Sequence, residues 1–354
     1  MMRRLYCTAG AGMEELLAEE LQHKLCATQV EQIPGRVFFC SNADLQTVTQ
    51  LKSAERLFIL LRKSEALSLP NNPGVNQGEF TVLIGLKQVT YNCPYNIWKS
   101  VNLKSNAVCG FFRHPLSSRS YMKHNGLRST IAWAMSSLCP KKLNDCVILD
   151  PMCGVGSVLL EAAQEYSNAV FLGMDTDLLQ LQKAADNVKS SGMEGRVQLL
   201  QSSAMDIPLA DGAVDAVLCD VPFGRKFSCS SDMRTALPRI LREMERVLRV
   251  GGHLVLLLSL QLSAQLKKTI CTHEHKQNVN SSDTNNLHTD ASNTHNESTE
   301  TPKPLMFHKS SSEMSNSLLL ISLLQAQRTH RVSLGSTDAF IHTYTKIKTQ
   351  TLSH

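Results

Sequence analysis

The sequence has no Cys-x-x-Cys pair anywhere in its 354 residues, which removes zinc ribbons and related four-cysteine sites from consideration. Its eleven cysteines are odd in number and follow no secretory signal, so a disulfide framework is not expected. Cys139, Cys146, Cys153 and Cys219 lie among apolar residues and read as buried, reduced thiols. Long hydrophobic runs are also missing. The longest, such as LVLLLSL at 254–260, fall far short of the roughly 20 residues a membrane span needs. The opening MMRRLYCTAGAGMEELL lacks an apolar signal core and turns acidic by Glu14. Internal repeats are absent. The expectation is an intracellular protein with no membrane partner.

A hydrophobic content of 42% is enough for a sizeable core, and a net charge of +5 tolerates a nucleic-acid partner without demanding one. The length suggests two domains, at roughly 100–200 residues each. Residues 1–63 read as one unit. RRLYCTA, ATQVEQI, RVFFCS and ERLFILLRK are strand-like, and Leu16, Leu17, Leu21 and Leu25 recur at helical spacing. NADLQTVTQLKSA reads as a capped helix. The resulting order, βαββαβ, fits an α+β ferredoxin-like domain.

Residues 64–115 are turn-rich and then mix basic and aromatic residues, with no complete domain legible. From about 116 to 354, strands alternate with helices, which implies a doubly wound, mostly parallel sheet covered on both faces. One helix is expected to begin near Pro238. Within this domain, a polar stretch at about 262–315, rich in Asn, Ser, Thr and His, reads as a disordered insertion. NSLLLISLLQA and AFIHTYTKI then read as the last two strands.

Chemistry-bearing residues concentrate at strand ends. In LDPMCGVGSVLLEAA (149–163), a strand ends at Asp150, and Gly154 and Gly156 open a tight turn into a helix. A Gly-x-Gly alone also fits an ordinary turn. Asp175 closes the next strand about 20 residues on, where a carboxylate can accept ribose hydroxyls. Leu159 stands where a dinucleotide fingerprint has its third glycine, which weakens a nicotinamide-dependent dehydrogenase. Asp206, in SSAMDIPL, can accept from an adenine amino group. Asp220 ends a fourth strand and is followed by Val221, Pro222 and Phe223. Ligands of such sheets bind beyond the carboxyl ends of the strands, so the four aspartates are expected to rim one crevice.

This arrangement resembles the Rossmann-like class I, S-adenosylmethionine-dependent methyltransferases. Asp220-Val221-Pro222-Phe223 looks like the Asp-Pro-Pro-Tyr motif of enzymes that methylate exocyclic amines of nucleobases, with Val for the first Pro and Phe for Tyr. The chemistry suits those residue types. An exocyclic amine delocalises its lone pair into the ring; a carboxylate and a main-chain carbonyl near Val221 or Pro222 can grip both N–H bonds and favour a pyramidal nitrogen. Pro222 stiffens the turn, and Phe223 can stack on a base taken out of its stack, a contact worth ~1–3 kcal/mol.

GLRSTIAWAM (126–135), DPMCGVGSVLLEAA and DVPFGRKF together resemble the THUMP-containing guanosine methyltransferases. That resemblance implies methyl transfer from S-adenosylmethionine to the N2 amine of guanosine in a structured RNA. It points first to U6 spliceosomal small nuclear RNA in the nucleus, with tRNA and the cytoplasm as alternatives. It also implies a small zinc-binding activator subunit that pairs with the sheet, and cofactor contacts from Arg128, Ser129, Thr130, Met152 and Thr176 beside Asp150, Gly154, Gly156, Asp175 and Asp206. Residues 64–115 are too short for a whole THUMP domain; NAVCGFFRHPLSSRSY looks like its final strands. A non-catalytic RNA-binding scaffold is therefore an alternative, and a protein or DNA amine methyltransferase a weaker one. Arg113, Arg119, Lys123, Arg225 and Lys226 are the remaining candidates for phosphate contact.

Overall fold

The computed structural model describes residues 2–63, 108–110, 114–115, 118–139, 145–222, 230–267, 323–335 and 337–348. Most of the 64–115 segment, residues 223–229, and the larger part of the polar stretch lie outside the described residues.

The first unit runs Arg3–Thr8 (β1), Glu14–Leu25 (α1), Thr28–Ile33 (β2), Arg36–Ser41 (β3), Leu45–Val48 (α2) and Arg56–Lys63 (β4). Its strands lie in the order β2-β3-β1-β4, antiparallel throughout. Leu17, Leu21 and Leu25 of α1 pack on Leu5, Cys7, Val37 and Phe39, the alternate residues that one face of a sheet presents. α2 is shorter than its sequence suggests. Asp44 caps it by accepting the Thr47 N–H at 2.7 Å, but the chain leaves helical geometry after Val48 and buries Leu51 and Ala54 in the same core. Val108–Gly110 (β5) and His114–Pro115 (β6) each pair with β4.

The second unit holds Ser129–Ser137 (α3), Val147–Asp150 (β7), Ser157–Glu165 (α4), Val170–Asp175 (β8), Leu178–Ser191 (α5), Val197–Gln201 (β9), Val214–Asp220 (β10), Ser230–Val247 (α6), Leu248–Ser259 (β11), a helix at residues 260–267 (α7), Leu324–Ser333 (β12) and Asp338–Lys346 (β13). The sheet order is β12-β13-β11-β10-β7-β8-β9. The five strands from β11 to β9 pair in parallel, and β13 is antiparallel to both neighbours. Side-chain alternation sends Ile148, Phe171, Leu218 and Leu257 to a core under α3, α4 and α5. Leu149, Met174, Val217 and Leu256 face α6 and α7. The strand order reverses between β7 and β10, which opens a crevice at their carboxyl ends.

Two expectations are corrected here. α6 begins at Ser230, two turns before Pro238, so Pro238 lies inside the helix. A proline there removes the N–H that would bond the carbonyl four residues earlier. That carbonyl, on Arg234, instead accepts Gln265 Nε2 of α7 at 3.0 Å. Order also continues past residue 262. Residues 262–267 are helical, with Leu262 and Leu266 buried against α6, because their four-residue spacing supplies one apolar stripe.

The two units share packing. Met13 and Leu16 belong to the core of the second unit with Ile131, Val332 and Ile341. The Ser333 N–H bonds the Ala11 carbonyl at 3.0 Å. Gly12 has φ +84°, and a Cβ there would sit 1.8 Å from the Arg331 carbonyl oxygen, so the approach needs glycine.

Candidate active site

Asp150, Asp175 and Asp220 are the last residues of β7, β8 and β10, so the parallel sheet delivers three carboxylates to one end. Asp150 Oδ1 accepts the Met152 N–H at 3.1 Å. Asp175 shapes the glycine loop: Oδ2 accepts the Gly154 N–H and Oδ1 the Asp177 N–H, both at 2.9 Å. Each oxygen keeps a lone pair for a further donor. Gly154 and Gly156 have φ of +54° and +83°, and nothing lies within 4 Å of where a Gly154 side chain would be. The loop therefore presents bare backbone to open space.

Electrostatics mark the same place. Burial lifts the Asp150 carboxyl well above its ordinary range, and the neighbouring Asp220 and Asp175 charges add to that. Burial pushes Asp220 up to about 7. A cation arriving here would relieve several unfavourable terms at once, and the sulfonium and ammonium of S-adenosylmethionine fit that requirement. Asp206 lies in the loop after β9, exposed and without a side-chain hydrogen bond among the described residues. Thr176 is exposed, its carbonyl accepting Gln201 Nε2 at 3.1 Å.

One sequence expectation changes. Asp150, only 1% exposed, lies beneath the crevice and does not rim it. The side chains of Arg128 and Thr130 engage Glu55 of the first unit at 3.4 and 3.2 Å, while Ser129 stands at the start of α3, in the wall of a neighbouring cleft. Phe223, Arg225 and Lys226 lie outside the described residues. Val221 explains its own departure from the motif. Its N–H bonds the Leu257 carbonyl at 3.1 Å and its side chain is fully buried. A proline there would lose that bond.

Sequence reasoning missed two supports. Asn187 of α5 is fully buried. Its Oδ1 accepts the N–H groups of Lys123 and His124 at 2.8 and 2.9 Å, and its Nδ2 donates to the carbonyls of His124 and Val155 at 3.0 Å. It therefore ties the glycine loop to the segment that enters α3. Glu161 of α4, 1% exposed, accepts Arg119 Nε at 2.7 Å and the Tyr121 hydroxyl. Arg119 also donates to the Lys52 carbonyl at 3.0 Å, joining both units. The only sequence signal for either support is a polar residue on the apolar face of an amphipathic helix.

Sheet order, glycine loop and carboxylates at the strand ends define a class I, Rossmann-like methyltransferase. Residues 117–289 match the RMKL-like methyltransferase domain family. The solved structure of TrmN from Thermus thermophilus is similar over 98% of this chain and 100% of its own, with a TM-score of 0.64 at 18% identity. The Mus musculus protein U6 snRNA (guanine-N(2))-methyltransferase THUMPD2 is 31% identical over 398 residues, covering 72% of this chain and 74% of its own. The Homo sapiens protein of that name is 29% identical over 492 positions, covering 97% and 96%. The Bos taurus tRNA (guanine(6)-N(2))-methyltransferase THUMP3 is 37% identical over 143 residues, 37% of this chain and 28% of its own. The chain belongs to the THUMPD2 family of guanine-N2 methyltransferases.

Proposed function

We propose that this chain is an S-adenosylmethionine-dependent RNA methyltransferase that acts on the N2 amine of a guanosine, with U6 small nuclear RNA as substrate and the nucleus as its place of action. Family membership carries the reaction. The Asp220-Val221-Pro222 turn, held to β11 beside the glycine loop, supports its chemistry. No helix among the described residues is long and apolar enough to cross a membrane.

S-adenosylmethionine, when bound, supplies an electrophilic methyl on a sulfonium. In this reading Gly154 and Gly156 give it close backbone approach, together with Met152 and Ser129, and Asp175 and Thr176 hold the ribose. Asp206 receives the adenine amine, and Asp150 acts from below by orienting the loop through the Met152 N–H. Asp220 and a main-chain carbonyl at Val221 or Pro222 accept the two N–H bonds of the target amine, and Phe223 stacks on the base. Acceleration then comes chiefly from positioning two reactants.

tRNA is the second reading, favoured by the THUMP3 relative, which matches 37% of this chain. Alignment with the human relative spans 492 positions against a chain of 354 residues; a shortened THUMP region at 64–115 is proposed as one place where the chain is shorter. A small zinc-binding activator is proposed as partner. β9, a sheet edge with Leu200 47% exposed, is where such a partner would pair.

The test is methyl transfer from labelled S-adenosylmethionine into total small RNA, with and without the activator, followed by nucleoside mass analysis. Labelled N2-methylguanosine is expected. Cofactor binding with no transfer under either condition would overturn the catalytic reading in favour of a scaffold.

A further inference from the structure

Where the first unit meets the catalytic domain, a cleft of about 610 Å³ opens between the end of β1, the start of β4 and the segment entering α3. Thr8 and Arg56 are register partners across β1 and β4, so their side chains leave the same face of the sheet at the same end. Thr8 Oγ1 is buried without a hydrogen-bond partner. An orphan hydroxyl of this kind costs free energy unless something supplies its bond. Arg56 is exposed, and no ion pair joins it to another described residue.

The other charges of the cleft differ in how firmly they are held. Arg119 is committed to Glu161 at 2.7 Å. Arg128 reaches Glu55 at only 3.4 Å and its side chain is 41% exposed, so the pair is exchangeable. Glu55 would keep Thr130 Oγ1, now at 3.2 Å, if Arg128 turned away. The result is one guanidinium with no ion pair and one hydroxyl with no hydrogen bond among the described residues, and one loosely held guanidinium, around a polar cavity, a donor set suited to an oxyanion.

The cleft also reaches the glycine loop. Gly126 lines it, and a Cβ on Gly126 would come within 2.5 Å of both Ser157 Oγ and Val155 Cγ2. Ser157, 5% exposed, has its own hydroxyl unpartnered. A chain of nucleotides lying in the cleft would run alongside the loop proposed to hold the cofactor.

We infer that this cleft is a phosphate subsite for the substrate RNA. Arg56 and Thr8 bind one phosphodiester, and Arg128 joins them by releasing Glu55. The inference rests on the RNA-methyltransferase reading above. It adds a substrate-positioning site contributed largely by the first unit.

The experiment measures binding of the full chain to transcribed U6 small nuclear RNA by fluorescence anisotropy at 50 and 200 mM salt, for the wild type, Arg56→Gln and Arg56→Lys. Each neutralised phosphate adds about 0.7–0.9 to the slope of log affinity against log salt. Over this interval the wild type should therefore lose about 2.5- to 3.5-fold more affinity than Arg56→Gln. Arg56→Lys should keep the wild-type slope, and calorimetry should show cofactor affinity unchanged in both variants. An unchanged slope in Arg56→Gln would overturn the subsite, as would loss of cofactor affinity with RNA binding intact, which would hand the cleft to the cofactor. Methyl transfer by the same wild-type preparation separates the two failures. Transfer with an unchanged Arg56→Gln slope defeats the cleft assignment alone, whereas a wild type that neither binds nor methylates RNA defeats both.

Discussion

Replacing Asp220 by Asn should make the cofactor-free protein more stable while cutting its turnover by orders of magnitude. Burial lifts the Asp220 carboxyl from 3.8 to about 7. Each pKa unit corresponds to about 1.4 kcal/mol, so ionising this group costs about 4 kcal/mol more in the fold than in the unfolded chain. The sign follows from proton binding. Between about pH 4 and pH 7 the folded state keeps a proton that the unfolded state releases, so stability falls as pH rises through that window and levels off above it. The neutral amide escapes this. Its advantage should be about 2 kcal/mol at pH 5 and approach about 4 kcal/mol at pH 8. Thermal unfolding of both proteins without cofactor at the two pH values reads the difference. Methyl transfer should fall by about 100-fold or more, with the cofactor dissociation constant changed only a few-fold. An Asn variant that melts lower than the wild type at pH 8, or whose advantage is the same at both pH values, would refute the reasoning. A collapse of cofactor binding would move Asp220 to a cofactor role.

Two further substitutions probe the supports of the site. Asn187→Leu should cost about 1–3 kcal/mol in denaturant unfolding, because it leaves the buried Val155 carbonyl without its partner and removes the acceptor and donor held by the part-buried main chain of Lys123 and His124. It should also weaken cofactor binding through the Val155 loop. Gly12→Ala should lower the thermal midpoint, since it meets both a positive φ and the Arg331 carbonyl; an unchanged midpoint would mean that the β12 contact is dispensable.

Much of this architecture was legible before the fold was known, for reasons that can be named. β7, β8, β10 and β11 are short apolar runs bounded by turn residues, and parallel strands buried on both faces read that way. Asp175 could be foreseen because a strand end and a spacing fix its place. What escaped depends on partners remote in sequence. The length of α6 turns on Gln265 relieving the Arg234 carbonyl, a contact 31 residues away that no local pattern around Pro238 displays. α2 looked longer because Val48, Leu51 and Ala54 are spaced like a helix face, although the last two are buried by loop geometry. Asp150 was expected at the rim because strand ends usually meet ligand, and its 1% exposure is a tertiary result that the sequence around it does not display. The clustering of Thr8, Arg56 and Arg128 required two separately folded segments to meet.

Met13 and Leu16 bear on how this protein can be taken apart. They are 0% and 2% exposed, among residues of the catalytic domain, so the chemical seam between the units does not follow the boundary that the chain order suggests. Cutting away the first unit would strip that apolar cover from Ile131, Val332 and Ile341, at about 1.5–3 kcal/mol for each large side chain laid bare. A catalytic fragment trimmed at the linker should therefore be sticky and short-lived in isolation. Minimal versions of the enzyme need to carry the α1 face with them, or replace those exposed side chains with polar ones.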